Sequence, residues 1–319
     1  MELLVTLRGN FKFPPIIKVD IEHDKIISTT DLDIETNNVS PIKRGSNGII
    51  IKGDLVYVAL WDRVAILDKK DLSLIDYIHS PHFSDLHGLD IDIDGNIFVV
   101  NTNMQRVEVI KDSNLDGSFF VDYNIDTTLF NTENNYNHLL KSESPFHSCH
   151  INDVIVNDEI IIISYLDDVT QKKFFNRIKT KFGFRRKNYK NGGLLFINKK
   201  TKKIIKNIRN EGLHDLVRYR NYIATTEYFG NRIVFIDFNK QIINHKIILE
   251  SEDNYLEHLL SRGIYAVEDG FWVGHTVKRG WEKSNPNALM RFYYNNGEYS
   301  GREIKIPNAV GIYSLCLNK

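Results

Sequence analysis

INDVIVNDEIIIISY, residues 151–165, decides the fold. Two runs rich in β-branched side chains flank Asn157-Asp158, a pair that tolerates positive φ, so the stretch reads as a β-hairpin. Four other stretches share this grammar: GIIIKGDLVYVAL (48–60), GLDIDIDGNIFVV (88–100), DLVRYRNYIATT (215–226) and GIYAVEDGFWVG (263–274). Their turns hold Gly53, Gly95, Arg220-Asn221 and Gly270. Each hairpin leads into a third, strongly apolar strand: VAILD (64–68), VEVI (107–110), GLLFI (193–197), IVFID (233–237) and LMRFYY (289–294). Most continue into a fourth, as in LSLIDYI (72–78), KKIIKNI (202–208) and QIINHKIIL (241–249).

A four-stranded antiparallel unit recurring every about 40–65 residues marks a β-propeller, because one blade cannot bury both of its faces alone. Five units fill 43–84, 85–143, 144–210, 211–253 and 256–309. The remainder makes a sixth. VGIYSLCL (310–317) is an innermost strand with nothing after it, and LLVTLRG (3–9), IIKVDIE (16–22) and KIISTTDL (25–32) are three strands with nothing before them. Pairing 310–319 with 1–42 closes the ring and removes both open edges. The expectation is an all-β, six-bladed β-propeller in a single domain, 1–319.

Composition narrows the function. The 41 basic side chains balance 41 acidic ones, which argues against nucleic-acid binding through a whole-molecule field. Hydrophobic content of 42% supports a large packed core. Two cysteines, Cys149 and Cys316, are too few for a disulfide framework and suit a reducing compartment. The start, MELLVTLRGNFKF, lacks a signal-peptide pattern, and no apolar run of about 18 residues occurs. The expected location is therefore cytoplasmic.

Part of the chain carries a family resemblance. CHINDVIV (149–156), NGGLLFINKKTKKII (191–205), EGLHDLVRYRNYIATTEYFGNRIVFID (211–237) and SRGIYAVEDGFWVGHT (261–276) follow one another in this order. In this they resemble a bacterial β-propeller family of conserved hypothetical proteins, some fused to tetratricopeptide repeats. More loosely, the blades look like the six-bladed lactonase and strictosidine-synthase-like group, although that group's calcium-binding acid and amide set finds no match here. The resemblance implies the propeller fold and its register, and no reaction. The loop 169–190 is longer and more basic than its counterpart in that family.

Propeller ligands gather where the strand starts converge on the central channel. Aligning the blades by their hairpin turns places one residue per blade at that mouth: Asn47, His87, His150, His214, Arg262 and Val310. Three imidazoles in register suit one divalent metal (Zn, Mn, Fe or Ni), a metal-free polar or acid/base site, or structural fill. The loops after the second strands add Trp61, Asp62, Asn101, Asn103, Tyr165, Asp167, Asp168, Glu227, Tyr228, His275, Arg8 and Asn10. Of these, Glu227 and Asp167 are the candidate catalytic acids or bases. Asn47, Trp61, Asn101, Asn103, Tyr165, Tyr228, Arg262 and His275 are candidate substrate contacts, with Arg262 for an anionic group or for a salt bridge to Glu257.

Two tempting motifs are discounted. His147-Ser148-Cys149-His150 alternates faces along a strand. DIDIDG (90–95) lacks the distal Glu of a calcium loop and reads as a solvated strand face. The segment 169–190, with six Lys and three Arg, reads as a lid over an anionic substrate, a surface for lipid headgroups, or a solvated insertion. Trp281, in the corresponding long loop of the fifth blade, would cover the other side of the mouth. The expected partner is a small polar, anionic molecule, with a protein or peptide partner as the alternative and neither nucleic acid nor membrane surface expected.

Overall fold

The computed structural model describes residues 1–9, 15–32, 45–120, 130–131, 149–167, 192–210, 212–227, 230–249, 259–277 and 287–318. They form six antiparallel sheets in a ring, a six-bladed β-propeller. The chain starts with β1 (Glu2–Gly9), β2 (Pro15–Asp20) and β3 (Lys25–Asp31), then builds the first complete blade from β4 (Ile49–Lys52), β5 (Leu55–Ala59), β6 (Arg63–Asp68) and β7 (Leu74–His79). The second blade is β8 (Leu86–Ile91), β9 (Ile97–Asn101), β10 (Arg106–Lys111) and β11 (Asn114–Phe120), with a short fifth strand, β12 (Phe130–Asn131), added outside β11. The third is β13 (Cys149–Val156), β14 (Ile160–Asp167), β15 (Gly192–Asn198) and β16 (Ile204–Asn210). The fourth is β17 (Leu213–Tyr219), β18 (Tyr222–Glu227), β19 (Arg232–Asp237) and β20 (Ile242–Ile248). The fifth is β21 (Leu259–Ala266), β22 (Gly270–Val277), β23 (Ala288–Tyr294) and β24 (Tyr299–Ile306). β25 (Ala309–Asn318) then pairs with β1, Glu2 opposite Asn318, so the sixth blade has the order β25-β1-β2-β3.

Local chemistry sets the turns. In three blades the hairpin between third and fourth strands opens with Asp68, Asn198 or Asp237, whose side-chain oxygen accepts from a backbone N–H two or three residues on. Four residues along, Leu72, Lys202 and Gln241 take positive φ and donate their N–H to the opening residue's carbonyl at 2.8 Å. Short polar side chains that bond their own backbone make this turn without glycine.

Packing closes the ring. Each interface between neighbouring blades has its own apolar cluster, including sixth against first (Leu4, Ile16, Ile49, Val56) and fifth against sixth (Trp272, Met290, Leu3, Ile312). Buried hydroxyls tie the blades near the channel. Thr6 donates to the Asn47 carbonyl, Thr102 to that of Ile151 at 2.6 Å, Ser164 to that of His214 and Thr276 to that of Ile312 at 3.2 Å. Carboxylates do the same with the next blade's amides: Asp90 accepts from Val156 N, Asp153 from Leu216 N and Asp215 from Gly263 N, at 2.7–2.8 Å.

This corrects one expectation. Asp90 and Asp92 of DIDIDG are buried rather than solvated, held by Arg218 and Lys199, while Ile93 between the turn acids is 79% exposed. An ionic partner from another blade outweighs the polarity pattern of the strand itself. Among the described residues no helix is long and apolar enough to cross a membrane. The basic stretch 169–190, Trp281, Glu257 and the segment 147–148 lie outside the described residues.

Candidate functional site

The inner strands do not enter the channel as regular strands. In four of them the register against the second strand slips between Leu86 and Leu89, Ile151 and Asp153, Leu213 and Leu216, and Ser261 and Ile264. A β-bulge there sets two residues against one and turns the first toward the axis. Asn47 and Tyr313 occupy the corresponding places, since Asn47 N donates to the Ala59 carbonyl and the β25–β1 register skips Tyr313. The ring is therefore Asn47, His87, Asn152, His214, Arg262 and Tyr313.

Two of the six expected positions change. In the third blade the register puts Asn152 at the bulge, two residues beyond His150, and in the sixth it puts Tyr313 there in place of the buried Val310. In the third blade the register against β14 adds one unpaired residue, Asn152, where three other blades set two residues against one. In the sixth, β25 pairs with β1 from the far end of the chain, with no hairpin turn to count from. Counting back from the turn therefore misses the bulge.

The ring surrounds a cavity with about 240 Å³ of empty space, open solvent included. Asn47, His87, Asn152, His214 and Tyr313 line it, with Gly48, Gly88, Asp153, Asp215 and Ser314. Gly88 is obligatory here, because a Cβ on it would sit 1.9 Å from Asp153 Oδ1. His150, although outside the bulge, still reaches the mouth: its ring meets His87 edge to face at 5.1 Å, and His87 lies 6.4 Å from His214.

Charge is distributed unevenly around this cavity. Arg262 Nη2 donates to His214 Nε2 at 2.5 Å, and its guanidinium stacks 4.4 Å from the centre of the Tyr313 ring. Arg8 Nη1 donates to the Tyr313 hydroxyl at 2.9 Å. Asp85 Oδ1 lies 3.3 Å from His87 Nε2, and Asp215 Oδ1 lies 3.1 Å from His214 Nδ1. Burial first, then the Arg262 charge, lowers the His214 pKa to about 4. Burial and then His87 hold His150 well below the ordinary histidine range. Burial pushes the carboxyls of Asp85 and Asp215 up, but His87 and His214 respectively, with Arg262, outweigh it and leave both below the usual range. For Asp153 burial wins, reinforced by Asp215, and its carboxyl is raised well above that range. At neutral pH the site thus holds uncharged His150 and His214 between guanidinium and carboxylate charges.

The second ring of expected residues goes elsewhere. Asn101, Tyr165, Glu227 and His275 pair with Leu86, Ile151, Leu213 and Ser261 of the inner strands. Paired residues share a sheet face, and three of these partners are core side chains. Each instead meets a polar group on an outer strand. Asn101 donates to Glu108 at 2.7 Å, Tyr165 to Asn207 at 2.9 Å, and His275 Nε2 lies 3.0 Å from the Tyr293 hydroxyl. Glu227, fully buried, accepts from Arg232, Lys246 and Asn210 at 3.0–3.3 Å. None of the four lines the cavity, so Glu227 is not brought to the site as an acid or base. Asn103 is tied to the Ser84 hydroxyl at 3.0 Å, Asp62 to Arg63 at 2.8 Å, and the half-buried Trp61 takes the Leu86 N–H on its carbonyl. Asp167 ends β14 opposite Cys149; Tyr228, Asp168 and Asn10 lie outside the described residues.

The imidazoles meet without offering a metal a ready ligand set. Among the described residues, the group of three metal-capable side chains with ligand atoms within 4.8 Å of one another is Asp20, Glu22 and His23 on the surface, not His87, His150 and His214. His214 directs Nε2 at a guanidinium and Nδ1 at a carboxylate, so both ring nitrogens are engaged. A fixed Arg⁺ on the donor set also repels a cation.

Asn152, Asp153, Asp215, Asp85 and Tyr313 escaped the sequence reading. A repeated tripeptide would have found most of them: Asn47-Gly48-Ile49, His87-Gly88-Leu89, Asn152-Asp153-Val154, His214-Asp215-Leu216, Arg262-Gly263-Ile264 and Tyr313-Ser314-Leu315. Each is a polar residue, a small or acidic residue and an aliphatic one.

No protein-family model matches the chain, and no curated protein does. Solved structures do. A protein of unknown function from Bacteroides caccae matches with a TM-score of 0.65 at 11% identity, covering 99% of this chain and 97% of that one. A chain of a nidogen/laminin complex matches with a TM-score of 0.58 at 10% identity, over 100% and 99%. Hydrazine synthase of Kuenenia stuttgartiensis matches with a TM-score of 0.52 at 12% identity, over 96% and 86%. The kinship is one of fold. At such identities function does not transfer.

Proposed function

We propose that the chain binds a small polar molecule carrying an anionic group, at the channel mouth and without a metal. One observation carries the reading: polar side chains from five of the six blades line one cavity, and Arg262 of the fifth stands behind it, bonded to His214 and stacked on Tyr313, whose hydroxyl accepts from Arg8. The guanidinium side supplies charge for a carboxylate or phosphate, and its fork geometry suits two oxygens. Neutral donor and acceptor groups come from Asn152 and His214, with His87 beside them. The Asp85–His87 and His214–Asp215 contacts are of the kind that orients an imidazole for proton transfer, so the pocket is equipped for acid/base chemistry on its ligand.

Isothermal titration calorimetry with inorganic phosphate and glycolate tests this. Saturable one-to-one binding is expected, weakened by salt and about tenfold weaker in Arg262→Lys, which keeps the charge but loses the fork. Absence of binding by both anions rejects the reading.

A further inference from the structure

Asn152 is buried, 2% exposed, and lines the cavity between His87 and His214 of the neighbouring blades. Its Nδ2 donates to the His150 carbonyl at 3.1 Å. That bond fixes the orientation of the amide, because a flipped amide would set oxygen against a carbonyl oxygen. Oδ1, also buried, meets no hydrogen-bond donor among the described residues. Leaving a buried amide oxygen unsatisfied costs far more than a typical hydrogen bond returns, so such an atom in a polar cavity marks where a donor belongs. The ring order places Asn152 and Arg262 on either side of His214, in the third and fifth blades.

We infer that Asn152 is a specificity-determining residue that accepts a hydrogen bond from a hydroxyl or amino group of a small ligand whose anionic group Arg262 receives. The inference rests on the anion-binding reading above and narrows it to a class: short hydroxy- or amino-substituted acids, rather than plain carboxylates or inorganic anions. A site built around an acceptor rejects an analogue lacking the matching donor more strongly than it rejects a change of shape.

Glycolate and acetate share a carboxylate and differ by one hydroxyl, so calorimetry with both is the test. The intact chain should bind glycolate about tenfold or more tighter than acetate. Asn152→Ala should bring the two within about twofold, chiefly by weakening glycolate, with acetate affinity unchanged. Equal binding of the two acids by the intact chain overturns the inference and leaves the anion pocket standing. A preference for glycolate that survives Asn152→Ala also overturns it. Binding of neither acid overturns the inference, and absence of phosphate binding as well overturns the anion-binding reading. Equal binding in the intact chain can overturn the inference even if the variant does not fold.

Discussion

Replacing His214 with Gln should flatten the dependence of stability on pH below neutrality. In the folded chain His214 titrates near 4 instead of its ordinary 6.5, because its ring is buried and faces Arg262. As pH falls, the unfolded chain takes up this proton first, so it binds more protons than the folded chain and acid favours unfolding. The stabilising contribution is therefore complete above pH 6.5 and is lost as pH falls toward 4. A displacement of about 2.5 pH units, at about 1.4 kcal/mol each, sets the full loss at roughly 3–4 kcal/mol, of which roughly 2–3 kcal/mol has gone by pH 4.5. Urea unfolding at a series of pH values from 7.5 to 4.5 measures it. His150 and His82, both also lowered by burial first, stay in place in the variant. The intact protein should lose roughly 2–3 kcal/mol more than His214→Gln over that range, whatever the difference between them at pH 7.5. Parallel curves would refute the argument.

Three other substitutions probe the scaffold. Thr102→Val keeps shape but removes the bond to the Ile151 carbonyl, and should cost about 1–2 kcal/mol in urea unfolding, against nearly nothing if the hydroxyl tie is idle. Gly88→Ala would place a methyl 2.6 Å from Asp153 Cα and should prevent folding, as judged by circular dichroism, whereas Gly53→Ala, with φ +61° but open space around it, should cost only about 1 kcal/mol. Glu227→Gln strips the counter-charge from Arg232 and Lys246, both partly exposed, and should lower stability by about 1–2 kcal/mol without changing glycolate affinity; lost affinity at unchanged stability would return Glu227 to the site.

The ring closure was legible because it depends on counting strands: three unpaired at one end, one at the other, and β25 pairs with β1 as the count requires. The hairpins were legible for the same local reason, alternating β-branched residues around turn formers. What a side chain faces was not. Asn101, Tyr165, Glu227 and His275 share a level of the fold, yet which side of the sheet they occupy depends on register against a bulged neighbour. A bulge resets the alternation by one, so a period-two argument carried across it selects the wrong residue. His150 attracted attention by its chemistry, whereas the backbone gives that place to Asn152. The burial of Asp90 and Asp92 was hidden for another reason: their partners Arg218 and Lys199 lie more than 100 residues away in the chain.

The bulged tripeptide separates two tasks that most proteins entangle. Its third residue, aliphatic in every blade, goes to the packing, while its first residue projects to the axis and its second, in five blades, borders the same cavity. Six letters scattered over nearly 270 positions, from Asn47 to Tyr313, therefore write the recognition surface almost independently of the sheets that carry it. Evolution, or an engineer, can respell that surface one character at a time and reach new ligands on an unchanged frame.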